Sequence, residues 1–329
     1  MRSFELAHLA AFAYLWTLFM GALFWIMLAH VTRALWFVPL RRLTESVTGI
    51  WPLLVLGGAP ALASRGPAFA GQSALYLLAG VLLAVGLRRY SLAQDREGTP
   101  ELAERMRRLS ALGLPVWAVT FTLAAFDWFM ALDEGFGSTI YAVYVFAGSA
   151  SSSLALVALL ALVSRRGKAW TLPLSEAHAL AVGKLLLTFV AFWAYLFFCQ
   201  LLLIWIAGLP RESGFYVTRF RGLAAVLTAL LIALHFVLPF FGLLWRFGKL
   251  HLGYVTAWGA VLLIAHFLDV CWLVLLASGG DVSAALGALL LLGLWGGLSL
   301  VFARWRAARE PKVALNDPDL SRSLELEPS

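Results

Sequence analysis

Charge is what this sequence has least of. Of its 329 residues only 13% are Asp, Glu, Lys or Arg, whereas 62% are hydrophobic and the mean hydropathy is +0.86. A soluble domain carries roughly 25% charged residues, and a water-soluble fold of this length cannot hide so much apolar surface. The composition therefore excludes a soluble enzyme and points to an integral membrane protein. Cysteine is scarcer still. Cys199 and Cys271 both lie in apolar runs, and neither belongs to a CxxC or Cys/His spacing. That pattern argues against a disulfide framework or a cysteine-based metal site and leaves both residues as packing groups. No Walker loop, Rossmann glycine pattern, nucleophile elbow or internal repeat occurs.

What is present is a succession of apolar windows of about 20 residues, the length that crosses a bilayer as a helix. They fall at 6–31, 47–64, 70–90, 110–131, 139–164, 178–208, 221–246, 252–277 and 283–305. The pattern predicts an all-α polytopic transmembrane bundle of about nine spans over 1–306, followed by a polar tail at 307–329. The second window is the weakest, because it contains Pro52, Gly57, Gly58 and Pro60, although neighbouring helices can re-satisfy such a backbone. The longest polar connection, 90–109, reads as one short helix on the membrane surface. Thr99 suits the N-cap, Pro100 the first helical position, and Glu101 with Arg105 and Glu104 with Arg108 are i,i+4 pairs. The tail has no periodicity and reads as an extended docking segment or a disordered end.

The net charge of +7 raises nucleic acid as a partner, but the placement of the charges assigns them to topology. With the N-terminus outside, 19 of the 25 Lys and Arg fall on one side; Arg2, Arg65, Arg211, Arg219 and Arg221 fall on the other, and Lys184 lies within a span. The positive-inside rule makes the 19-residue side cytoplasmic. The surrounding partner is then the lipid bilayer, not nucleic acid. The first span is too long for a signal peptide and is followed by arginines, so it reads as a retained anchor.

Polar side chains at membrane depth are expensive and mark functional sites by default. Lys184, Asp127, His235, His266 and Asp269 all fall inside apolar runs. At 100° per residue, Lys184, Thr188, Tyr195 and Cys199 share one face of the sixth span, with Gln200 on a nearly opposite face. Such a stripe suits a hydrated half-channel; the alternative is a lysine that snorkels to the interface. His235 stands four residues before Pro239, and the proline removes the hydrogen bond due to the His235 carbonyl. His266 and Asp269 are i,i+3 neighbours, placed for the carboxylate to orient the imidazole or share its proton. By depth these residues form a ladder, with Lys184 low, Tyr195 and His235 central, and His266, Asp269 and Asp127 nearer the outside. Asp127 and Asp269 are the expected partners of Lys184. The bland alternative is that they are interhelical hydrogen-bond partners only. Two imidazoles near mid-membrane on consecutive spans also raise haem ligation, but neither span carries a second histidine one repeat away. His8 and His30, near the ends of the first span, read as interfacial.

The run FDWFMALDEGFGSTIYAVYVFAG at 126–148, followed by GKLLLTFVAFWAYLFFCQLLLIWIAGLPRES at 183–213, resembles the ActF membrane subunit of bacterial alternative complex III, a quinol:cytochrome c oxidoreductase. HFVLPF at 235–240, HFLDVCWLV at 266–274 and NDPDLSRSLELE at 316–327 agree with it, and HVTRALWFVPLRRLTESV at 30–47 and YSLAQD at 90–95 agree more weakly. The resemblance implies an NrfD-like fold of the polysulphide reductase membrane subunit superfamily, with a transmembrane four-helix-bundle core. It implies a multi-pass subunit of the bacterial inner membrane with no cofactor of its own and no catalysis alone. Iron–sulphur clusters and c-type haems would reside in partner subunits. Those partners would be a sister NrfD-like subunit holding the quinol site, an iron–sulphur subunit, c-type cytochromes and small membrane subunits. Lys184, Asp127, His235, His266 and Asp269 occupy stretches that the resemblance links to a proton path. The family has ten spans with both ends cytoplasmic, so nine spans with the N-terminus outside correspond to loss of the first. A proton-coupled transporter and a quinone-binding membrane anchor are the alternative functions.

Overall fold

A computed structural model of the chain describes residues 3–63, 65–166, 174–277, 279, 282–307, 309, 313–314 and 316–328. Arg2, Lys168 and Lys312, counted in the charge asymmetry, lie outside the described residues. Among the described residues there is no strand, and nine helical segments are long and apolar enough to cross a bilayer. The chain is an all-α, multi-pass membrane protein.

Helix α1 (Ser3–Thr32) is apolar all round, and a helix without a polar face is one that neighbours enclose. It is the centre of the bundle: 89% of its spanning window is buried, against 11% for the last span. Around it pack α5 (Pro100–Trp128), α6 (Tyr141–Arg166), α12 (Leu252–Val274) and α13 (Val282–Ala307), while α4 (Pro67–Glu97) lies against α5 and α7 (Glu176–Ala207) against α6. Two of the indoles buried here, Trp25 and Trp117, satisfy their N–H groups on backbone carbonyls of neighbouring helices. Trp25 Nε1 donates to Ala150 O at 2.9 Å and Trp117 Nε1 to Met20 O at 3.0 Å. Small residues along α6, from Gly148 to Ala158, let its neighbours come close. Ser151, Ser152 and Ser153 return their hydroxyls to carbonyls one turn back, so the small polar face costs no unsatisfied donors.

The second span is segmented. A 3-10 turn (Leu35–Leu40) leads into α2 (Arg41–Thr48) and then α3 (Trp51–Ala63). The interruption falls at Gly49 and Ile50, ahead of the Pro- and Gly-containing part, which is itself helical. Pro52 sits in the first turn of α3, where its missing N–H costs nothing. After α7 come α8 (Pro210–Arg219), α9 (Gly222–Ile232), a π-helical turn (Ala233–Val237), α10 (Leu238–Leu244) and α11 (Arg246–Lys249). The seventh span is thus α9, the π turn and α10 in series. A short α14 (Leu320–Leu324) lies in the tail.

One expectation is corrected and two are made specific. The surface helix over 90–109 does not form, because α4 runs on to Glu97 and α5 starts at Pro100, with the reversal at Gly98 and Thr99. Both helix ends carry inward residues, Ser91 and Gln94 on α4 and Leu102 and Met106 on α5, so each remains part of the bundle. Thr99 holds the N-cap position without a side-chain cap, and Glu104 pairs with both Arg107 and Arg108. His8 and His30, at the ends of α1, each meet a partner within the bundle, on α3 and α5. His8 Nε2 meets Gly57 O at 2.5 Å, and His30 Nδ1 lies 3.0 Å from Ser110 Oγ. The described part of the tail is docked rather than disordered. Gln94 Nε2 donates to Asn316 O at 2.9 Å, Asp317 pairs with Arg41 at 2.5 Å, and Ser323 Oγ donates to Leu35 O at 2.7 Å.

Candidate functional site

Five elements converge on one carboxylate in the core. α12 presents His266 and Asp269 inward one turn apart; α6 supplies Tyr144, α7 Trp193, the π turn His235 and α1 Thr17. Asp269 Oδ1 accepts a hydrogen bond from the Tyr144 hydroxyl, and Oδ2 accepts one from Trp193 Nε1 at 3.0 Å. Donors on both oxygens are what allow an ionisable side chain to be kept at this depth. The Trp193 ring lies against His235 with centroids 4.1 Å apart. His235 Nδ1 stands 3.9 Å from Asp269 Oδ2, beyond direct hydrogen-bond reach.

The two imidazoles carry the unpartnered atoms of this group. His235 is fully buried, yet neither ring nitrogen has a hydrogen-bond partner. His266 Nε2 is 2.8 Å from Thr17 Oγ1, while its Nδ1 is likewise unpartnered. An unpartnered polar nitrogen in a protein core costs on the order of 1 to 3 kcal/mol; His8 Nδ1 and His30 Nε2 are others in this bundle. The two rings are 6.3 Å apart between centroids. The backbone around His235 has opened into a π turn, a distortion frequent at functional sites, where the sequence predicts a backbone bond lost to Pro239. His266 does not hydrogen-bond Asp269, contrary to their i,i+3 spacing, because Thr17 takes one imidazole and the two aromatic donors take the carboxylate.

Gly148 sets the clearance. A Cβ there would stand 2.9 Å from His266 Nδ1 and 3.4 Å from Asp269 Oδ2. Gly148→Ala is therefore expected to displace the imidazole and lower stability by about 1 to 3 kcal/mol, the usual cost of overpacking. Thermal unfolding of the purified variant in detergent checks this.

The remaining sequence candidates lie elsewhere. Lys184, Thr188 and Tyr195 do share a face of α7, but it is the outward face, and all three are exposed. Thr188 Oγ1 donates to Lys184 O at 2.9 Å. The opposite face carries Gln200, buried and 3.3 Å from Ser138 Oγ. The carboxylates expected beside Lys184 have other partners. Asp127 Oδ2 accepts from Tyr76 at 2.7 Å and from Gln72 at 2.8 Å, half-buried at the far end of α5. Cys199 and Cys271 are free thiols. Among the described residues no group of three or more His, Cys, Asp or Glu is placed to hold a metal ion.

Sequence reasoning misses a second buried polar cluster, at the arginine-rich end. Glu45 on α2 accepts from Arg42 at 2.7 Å, from Ser91 at 2.6 Å and from Arg88. Arg42 also pairs with Asp95, and Arg41 with Asp317 of the tail. Three guanidinium groups thus face three carboxylates, drawn from α2, α4 and the tail, and Arg41, Arg42 and Glu45 are buried. At the other end Arg219, also buried, pairs with Asp133 at 2.8 Å and stacks on Phe215 at 3.6 Å.

No protein-family model matches this chain, and comparison with curated proteins gives no match.

Proposed function

We propose that this chain is a cofactor-free membrane subunit of a quinol:cytochrome c oxidoreductase of the alternative complex III type, and that it carries part of a proton path. The observation that carries the reading is where the resembling stretches meet. The runs at 126–148, 183–213, 235–240 and 266–274 supply Tyr144 and Gly148, Trp193, His235, and His266 with Asp269, all to one buried centre. The runs at 30–47, 90–95 and 316–327 meet in the other cluster, through Arg41, Arg42 and Glu45, Ser91 and Asp95, and Asn316, Asp317 and Ser323. Sequence stretches far apart in the chain, brought to two polar centres, are the pattern of a shared machine rather than of scattered packing residues.

In this reading Asp269 and His235 exchange a proton across their 3.9 Å gap, a distance that one bridging water spans. Tyr144 and Trp193 hold the carboxylate in place, and the free nitrogen of His266 continues the path. The arginine-rich end is cytoplasmic and the membrane is the bacterial inner membrane. Electron transfer belongs to the partner subunits, which hold the iron–sulphur clusters and c-type haems. Affinity purification of the full chain in mild detergent is expected to recover haem-bearing partners and quinol:cytochrome c reductase activity. A chain recovered alone, without c-type haem, would overturn the assignment in favour of a free-standing transporter.

A further inference from the structure

Lys249, the last residue of α11, puts an ammonium-bearing side chain where only 6% of its surface is exposed. It lies across α7 at Gly183: a Cβ there would be 2.8 Å from Lys249 Cγ and 3.0 Å from Cδ. The next residue of α7 is Lys184, and its charge acts directly on Lys249. Burial, and then the neighbouring ammonium, lower the Lys249 pKa from its ordinary value. Two ammonium groups brought close near the edge of an apolar bundle raise the local positive potential.

A second, independent feature also borders α7. Between α7 and the π turn with α10 runs an apolar groove of about 520 Å³, lined by Ala191, Ala194, Phe198, Leu201, Phe236 and Phe240 among others. At 1.5 Å per residue it begins about 10 Å beyond Lys184 along α7 and continues for about 15 Å, the hydrocarbon depth of one leaflet. Phe241, Trp245 and Phe247 are exposed on the stretch from α10 to α11 that joins groove to lysines, the placement of an interfacial aromatic belt. Basic pockets between spans on the positively charged side of a membrane are suited to anionic headgroups.

We infer that Lys184, Lys249 and this groove form a site for one anionic glycerophospholipid, with the phosphate between the lysines and an acyl chain along α7. The full chain, delipidated in neutral detergent, is to be titrated with phosphatidylglycerol and with phosphatidylcholine of the same chains, and bound lipid counted by native mass spectrometry. The expected result is one phosphatidylglycerol per chain held in preference to phosphatidylcholine. Lys184→Gln and Lys249→Gln should each weaken phosphatidylglycerol roughly fivefold, the effect of one lysine near an anionic headgroup, with phosphatidylcholine unchanged. Ala194→Trp, which fills the groove, should weaken both lipids. Equal retention of the two lipids by the unmodified chain overturns the proposal, and that comparison holds even if Lys249→Gln fails to fold. So does displacement of phosphatidylglycerol by inorganic phosphate at equal concentration, or an Ala194→Trp variant that binds as before. A photo-crosslinker at position 184 that captures a polypeptide instead of lipid in the assembled complex would assign the face to a protein partner and overturn it too.

Discussion

Glu45→Ala should destabilise the protein by about 3 to 5 kcal/mol, the cost of breaking a buried ion pair from one side. Glu45 Oε2 accepts from Arg42 and Arg88, while Oε1 accepts from Ser91 and faces Arg41 at 3.9 Å. Removing it leaves Arg42 with Asp95 and the Ser91 carbonyl and takes the Glu45 carboxylate from Arg88, at a site where Arg42 and Glu45 side chains are only 2% exposed. The desolvation cost of the guanidinium groups is then only partly compensated. Asp317→Asn should cost less, because Arg41 keeps Glu45 within reach. It should, however, loosen the tail, which is tied to the bundle through Asp317, Asn316 and Ser323. Unfolding of both variants in mixed micelles with increasing denaturing detergent measures the difference. A loss below about 1 kcal/mol for Glu45→Ala would place the cluster with solvent-screened pairs and contradict its burial.

The architecture was legible because membrane helices announce themselves by length and hydropathy alone. All nine windows correspond to spans, and the second is irregular, although its break falls at Gly49 and Ile50, ahead of the prolines and glycines that mark it in the sequence. What sequence could not supply was which face of a helix turns inward. The helical angles group Lys184, Thr188 and Tyr195 on α7, yet they give no sign that this face points outward and Gln200 inward. In a soluble protein the polar face would be the solvent face; in a bilayer, polarity alone does not orient a helix.

The buried centre was half legible. His235, His266 and Asp269 stood out as ionisable groups in apolar runs, and Pro239 pointed to the distorted backbone that the π turn displays. Tyr144, Trp193 and Thr17 did not stand out, because an aromatic or a threonine in a span reads as packing until its hydroxyl or indole is seen on a carboxylate or an imidazole. The Glu45 cluster was hidden for another reason. Its charges come from 41–45, 88–95 and the tail, segments that look like ordinary basic loop ends when read singly, and only tertiary structure brings the compensating acids to them. The extended polar connection at 90–109 was misread because helices that project past the bilayer keep a buried side, which a window of charges conceals.

Asp269→Asn is the substitution that reaches the function most directly. The amide keeps the shape of the carboxylate and one acceptor, but its NH₂ group must face either Tyr144 or Trp193, both of which donate to Asp269. The Tyr144 hydroxyl accepts as well as donates, so the amide can turn its NH₂ group to Tyr144 and keep its oxygen on Trp193 Nε1, and the bundle should assemble. The amide cannot take up and release a proton, so a path through Asp269 and His235 stops. Trp193→Phe is the companion variant: it keeps an aromatic ring against His235 while removing the indole N–H, and should impair coupling less than Asp269→Asn. The decisive measurement is the number of protons translocated per electron when the assembled complex, reconstituted in liposomes, oxidises quinol with Asp269→Asn in place. The expected result is continued quinol oxidation, with proton movement reduced to what the quinol itself releases. An unchanged proton stoichiometry in an assembled, active variant would contradict a proton path through this centre.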